Sequence, residues 1–434
     1  MAGNGARSTT QHHPAEISPI SLGSPPPLAY ERCMDLLIAG TLGLLIVAIL
    51  VAIVARRLAL PYTVGLVAAG AALAFSRIDF GIALTHDIIF ELILPPLLFE
   101  AALNIHWHEL RRDLVPVLVL SIFGVVICAA IVSAGMAWMF GWPIAAALIF
   151  GVLIAATDPV AVIAMFKDTG IGGRLRLLVE SESLFNDGVA AVLFGLILSW
   201  AAGGAWSSPN AALSLITISG GGIAIGAATA VGAIFLAGRT ADHLTEAAIT
   251  LVTAYGSFLL AEHFHFSGVL ATVTAGLVTG SMGLRGSQTR PGLSDAARNF
   301  ILEFWEFSAF LANSLVFLLI GVAVARIDFR AVGGVALLAA ILLVLLGRAA
   351  TVYPLSLLFR GTRWSIGMGE QHVLWWGGLR GALALALALA LPPAIPMRDT
   401  IVIATFAVVG FSVVIQGLTM PWLLKRLGFL LPQP

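Results

Sequence analysis

Charge is what this chain has least of. Asp, Glu, Lys and Arg make up 11% of its 434 residues, where soluble domains carry roughly 25%. With 59% apolar residues and a mean hydropathy of +1.00, a water-soluble globule is excluded. Cysteine is almost missing. Cys33 falls in the N-terminal region and Cys128 inside an apolar segment, which leaves no disulfide framework. The formal net charge is zero, so nothing marks a nucleic-acid partner. No stretch between apolar segments is long enough for a soluble domain, and nothing implies a cofactor. The first thirty residues are rich in Pro and Ser. They lack the basic start and apolar core of a cleavable signal peptide and read as a disordered tail.

What the chain does have is long apolar runs. Segments of about 17–25 residues suffice to span a bilayer. Thirteen are expected, near 34–55, 60–76, 86–104, 114–139, 143–166, 175–202, 212–237, 244–262, 267–283, 301–324, 331–359, 369–391 and 399–424. The expected fold is an all-α polytopic membrane protein, with a tail over 1–33, a transmembrane domain over 34–425 and a short tail over 426–434. Fifteen Lys and Arg fall on one set of alternate connections and six on the other. By the positive-inside rule the C-terminus is cytoplasmic and the N-terminus outside, in a cell (inner or plasma) membrane. Histidines 106, 108, 263 and 265 lie at span ends and read as interfacial.

A few ionisable residues sit where lipid would not accept them: Glu100, Asp158, Glu182, Asp187, Arg348 and Arg380. Intramembrane charge is expensive and usually lines a cavity or has a partner. The stretch ALIFGVLIAATDPVAVIAMF (147–166) is apolar except for Thr157, Asp158 and Pro159 at its centre. Pro159 removes a backbone donor and crowds the preceding turn, so the span is expected to open there. Asp158 then compensates a half-helix N-terminus. In SESLFNDGVA (181–190), Ser183, Asn186 and Asp187 fall at i, i+3 and i+4 on one helix face. An all-oxygen set of this kind suits Na⁺ or another hard cation. In WWGGLRGA (375–382), Gly377, Gly378 and Gly381 loosen a helix around Arg380. These breaks fall in spans 5 and 12. If spans 1–6 and 8–13 are inverted six-helix repeats, the two positions correspond, and broken helices at matched positions point to a transport site. The acid of one break and the base of the other could balance crossed helix ends.

At these residues the chain resembles the monovalent cation/proton antiporters of the NhaP type and the animal sodium/proton exchangers. The likeness rests on FELILPPLLFEAALN (90–104), ATDPVAV (156–162), ESLFNDGVA (182–190), NSLVFLLIGV (313–322), Arg348 in GRAAT and GGLRGA (377–382). It implies thirteen helices with crossed broken ones, a mobile core beside a dimerisation domain, and a homodimer. It also implies that Asp187 binds cation or proton in turn. Thr157, Ser183 and Glu100 would complete a Na⁺ shell, with Asp158 near it and Asn186 beside it. Glu182 would pair with Arg348. Electroneutral members of that family carry Asn–Asp where electrogenic ones carry Asp–Asp, and this chain has Asn186–Asp187. One-for-one exchange of Na⁺, or of Li⁺ or K⁺, against H⁺ by alternating access is the function expected. Two competing readings are a passive cation channel, for which no repeated filter is visible, and an intramembrane aspartyl protease using Asp158 and Asp187, for which no GxGD motif is present.

Overall fold

The computed structural model describes residues 1, 3, 27–58, 61–75, 85–203, 208–240, 242–284 and 295–429. Helix is the only regular structure among them, as apolar surroundings demand when every backbone group must be satisfied within the chain. The helices are α1 (Pro27–Leu58), α2 (Tyr62–Phe75), α3 (Leu94–Asn104, entered through a π-helical turn over Ile88–Ile93), α4 (Trp107–Phe140), α5 (Ile144–Leu153), α6 (Val160–Thr169), α7 (Gly173–Ala201) and α8 (Ser208–Ala237). They continue as α9 (His243–His263), α10 (Gly268–Val278), α11 (Asp295–Arg326), α12 (Gly334–Leu357), α13 (Met368–Trp376), α14 (Ala382–Leu389), α15 (Arg398–Phe411) and α16 (Gly417–Arg426). Among the described residues, seven helices are long and apolar enough to cross a membrane, and four shorter apolar ones accompany them.

Helix begins at Pro27, inside the region expected to be tail. Proline at a first helical position gives up no hydrogen bond, because that N–H has no intrahelical partner. Residues 4–26 and 430–434 of the expected tails lie outside the described residues.

Two groups of helices share the packing. α4 packs against α5, α7 and α12, while α14 packs on α15. On the other side α2 packs against α11, α3 against α10 and α11, and α8 against α9 and α10. A separate apolar cluster built on Phe99, Ile301 and Trp305 belongs to this second group. Lipid tails are as apolar as Leu, so such contacts depend on close approach of small residues. Gly70 of α2 faces the Leu318 carbonyl and Gly321 of α11, while Gly321 faces the Val67 carbonyl. A Cβ on either would strike backbone. The outward faces of α1, α8 and α12 expose large aliphatic residues such as Ile46, Ile53, Ile216, Leu338 and Leu342, as helices bathed in hydrocarbon do.

Two of the expected spans are interrupted, and both at the motif residues. Between α5 and α6 the backbone leaves the helix over 154–159, where Pro159 offers no N–H. Between α13 and α14 it does so over 377–381, where three of five residues are glycine.

Candidate ion-binding site

The two breaks meet. The Asp158 N–H donates to the Leu379 carbonyl at 2.7 Å, joining one interrupted helix to the other. Asp158 Oδ1 accepts from the Val160 N–H (3.0 Å) at the start of α6, and Oδ2 from the Ala382 N–H (3.4 Å) at the start of α14. One carboxylate thus faces two helix N-termini, each with unsatisfied donors and a partial positive charge. Gly381 makes this possible, because a Cβ there would overlap the Asp158 carboxylate. Arg380 acts at the opposite pole. Its Nη1 donates to the carbonyls of Ala155 (2.9 Å) and Ala156 (3.0 Å), just beyond the C-terminal end of α5. Its backbone N–H is held by Ser412 Oγ at 2.7 Å, and Nη2 lies 3.8 Å from Cys128 Sγ. Arg380 is 1% exposed, and none of its hydrogen-bond partners among the described residues is a carboxylate.

α7 runs past this crossing and offers one polar face to it. Ser183 Oγ donates to the Thr157 carbonyl at 2.5 Å, and Thr157 Oγ1 donates to Ser183 Oγ at 3.2 Å. Each hydroxyl oxygen keeps lone-pair capacity for a further partner. One position back, Glu182 turns the other way, to Arg348 of α12. The pair is bidentate, Nη1 to Oε1 at 2.7 Å and Nη2 to Oε2 at 2.8 Å, with side chains 2% and 6% exposed. Arg348 also donates to the Leu374 carbonyl (3.1 Å), and Asn186 Nδ2 lies 3.5 Å from Glu182 Oε1.

Asp187 faces a cavity of about 70 Å³ lined by Thr157, Asp158, Glu180, Ser183, Gly381 and Ala382, together with Leu97, Leu98 and other apolar residues of α3 and α14. Its Oδ1 is buried and has no hydrogen-bond partner among the described residues. The polar side-chain donors around the cavity are all oxygen, which suits a hard monovalent cation or a proton.

Glu100 is not among the residues lining the cavity. Its Oε1 accepts from Asn104 Nδ2 at 2.8 Å and lies 3.7 Å from Lys167 Nζ, so an amide and an ammonium already engage that carboxylate. Glu180 lies on the cavity lining. It is 8% exposed and pairs with Arg176 at 3.5 Å. Its spacing of three from Ser183 and seven from Asp187 puts all three on one helix face, a signal that was present in the sequence.

Residues 44–426 match the family described as sodium/hydrogen exchanger, transmembrane. The chain belongs to the sodium/hydrogen exchanger family. It is similar to the Na⁺/H⁺ antiporter ApNhaP of Aphanothece halophytica, with 41% identity over 86% of this chain and 70% of the relative. It is also similar to the Na⁺/H⁺ antiporter NhaH of Halobacillus dabanensis, with 33% identity over 89% of this chain and 97% of the relative. The solved structure of the sodium proton antiporter MjNhaP1 from Methanocaldococcus jannaschii superposes with a TM-score of 0.69, covering 94% of this chain at 21% identity, a likeness of fold. The exchanger family is one of transporters and not of enzymes, so Asp158 and Asp187 are not the paired acids of a protease. In this exchanger Asp158 is engaged by two backbone N–H groups, whereas Asp187 is the acid left facing the cavity.

Proposed function

We propose that the chain is a secondary transporter exchanging a monovalent cation, Na⁺ foremost and Li⁺ or K⁺ by the same chemistry, for H⁺. The observation that carries this reading is Asp187 Oδ1, buried without a partner among the described residues on a cavity edged by Thr157 and Ser183. In the proposed cycle Asp187, Ser183 and Thr157 hold the cation, Asp158 sits behind them at the helix ends, and a proton takes the cation's place on Asp187. Glu100 stands outside that shell in this conformation.

Charge counting supports one-for-one exchange. Asp158, Glu182 and Asp187 carry three negative charges at the crossing, and Arg348 and Arg380 carry two positive ones. One bound Na⁺ or one proton makes the set neutral, whereas an empty ionised Asp187 leaves a buried charge uncompensated. Moving such a charge through a low-dielectric barrier is costly, so the empty carrier stays put and leak is suppressed. Asn186 does not titrate, and Glu182 and Asp158 already have partners, Arg348 for the one and two backbone N–H groups for the other, which leaves Asp187 as the proposed exchanging carboxylate. Transport is then electroneutral.

The proposed architecture is thirteen spans in two inverted six-helix repeats. The α5/α6 and α13/α14 crossing lies in a mobile core that rocks against a dimerisation domain, within a homodimer. The N-terminus lies outside and the C-terminus in the cytoplasm of a cell membrane. A single coupled carboxylate favours antiport over a channel. The test is cation-driven proton flux in proteoliposomes, run with Na⁺, Li⁺ and K⁺ at several pH values. Cation flux that ignores the proton gradient would remove antiport and favour a channel.

A further inference from the structure

Lys167 occupies a position that the ion chemistry of the crossing does not explain. It lies in the last turn of α6, the half-helix whose N-terminus is capped by Asp158. α6 packs on α7 and α16, within the group that holds the crossing. The Lys167 ammonium nevertheless reaches out of that group. Nζ donates to Glu306 Oε1 of α11 at 3.1 Å and lies 3.7 Å from Glu100 Oε1 of α3. α3 and α11 pack on each other, α3 also on α10 and α11 on α9, in the second packing group. Lys167 therefore ties a broken half-helix of one packing group to two helices of the other. It does so near the rim of the cavity, since Glu180 lines that cavity and interacts electrostatically with Lys167 and Glu100.

We propose that Lys167 is a positioning residue for transport: a breakable latch between α6 and the α3/α11 pair that holds the core in the orientation seen here and must release each time the core moves. The proposal rests on the alternating-access reading above. The strength of the contacts fits a latch. Lys167 is 37% exposed, Glu306 65% and Glu100 17%, and half-exposed pairs of this kind are weak, screened by salt and readily exchanged for water. The Glu182–Arg348 pair offers the contrast. It is bidentate and buried, and it ties α7 to α12 within one packing group. A permanent brace has that form, and a latch opened in every cycle has the other. Charge balance points the same way. Lys167 is the cation that Glu100 and Glu306 share, so its release leaves both carboxylates without their lysine partner.

The test joins positions 167 and 306 covalently. Lys167→Cys and Glu306→Cys are combined with Cys33→Ser, leaving Cys128 in place because it is buried against Arg380. The variant is reconstituted in proteoliposomes and treated with a short bis-methanethiosulfonate linker. Sodium-driven proton flux is expected before linking, to be lost on linking, and to return on reduction. Flux that persists at the unlinked rate in fully linked protein overturns the latch. Absence of sodium-driven flux in the unmodified protein would instead remove the antiport reading. A second pair of variants guards against a cysteine variant that fails to fold. Lys167→Glu should slow exchange by placing three acids together, and adding Glu306→Lys should restore it. A double variant no faster than the single one also overturns the proposal.

Discussion

Replacing Arg348 with alanine removes one half of a bidentate contact and leaves the other half in place. Glu182 would keep Asn186 Nδ2, at 3.5 Å, as its remaining side-chain donor and would have no cation. Breaking a buried pair from one side typically costs about 3–5 kcal/mol, because the surviving charge stays buried and unpaired. Arg348 is 5% exposed, so water does not reach the gap easily. Adding Glu182→Gln removes the stranded charge and should recover part of that loss, giving a coupling of about 1–3 kcal/mol across a double-mutant cycle. Thermal midpoints of the four proteins in detergent measure it. Single variants that are each mildly affected, with losses that simply add, would show that the pair is not a brace and that α7 and α12 are held by packing alone.

Exchange in proteoliposomes should be insensitive to a membrane potential set with valinomycin, because one cation and one proton replace each other on Asp187. A transport current on a solid-supported membrane would show a second titrating acid and would shift attention to Asp158 or Glu182. Gly381→Ala should lower stability by about 1–3 kcal/mol, the usual cost of overpacking, and should slow exchange, since its Cβ overlaps the Asp158 carboxylate. An unchanged thermal midpoint would mean that the crossing yields without cost. Locking Lys167 to Glu306 through paired cysteines should stop transport reversibly.

Much of the site was legible in the sequence because lipid makes polar residues conspicuous. Thr157, Asp158 and Pro159 stood out inside an apolar run, and the structure opens the helix there over 154–159. Gly377, Gly378 and Gly381 marked the second break for the same reason. The pairing of these breaks depends on backbone groups, such as the Leu379 carbonyl that takes the Asp158 N–H. Every residue carries such groups, so the pattern of side chains does not reveal them. The partners of Arg380 were hidden likewise: two carbonyls, the Ser412 hydroxyl and the Cys128 sulfur come from elements far apart in sequence. The ion-shell role that the family resemblance implies for Glu100 gives no hint of Lys167, near the end of a different span, which engages that carboxylate here. Glu180 shares the α7 face of Ser183 and Asp187, and that spacing is the signal in the sequence for its place on the lining.

The central claim is that Asp187 carries both ions in turn. Asp187→Asn keeps the size and hydrogen-bonding capacity of the side chain and removes the charge that would hold Na⁺ or H⁺. Reconstituted at matched protein levels, that variant should show no sodium-driven proton flux at any pH, while its thermal midpoint stays close to that of the unmodified protein. Sodium-driven flux at near the unmodified rate would contradict the account and move the coupling carboxylate elsewhere, to Asp158 first.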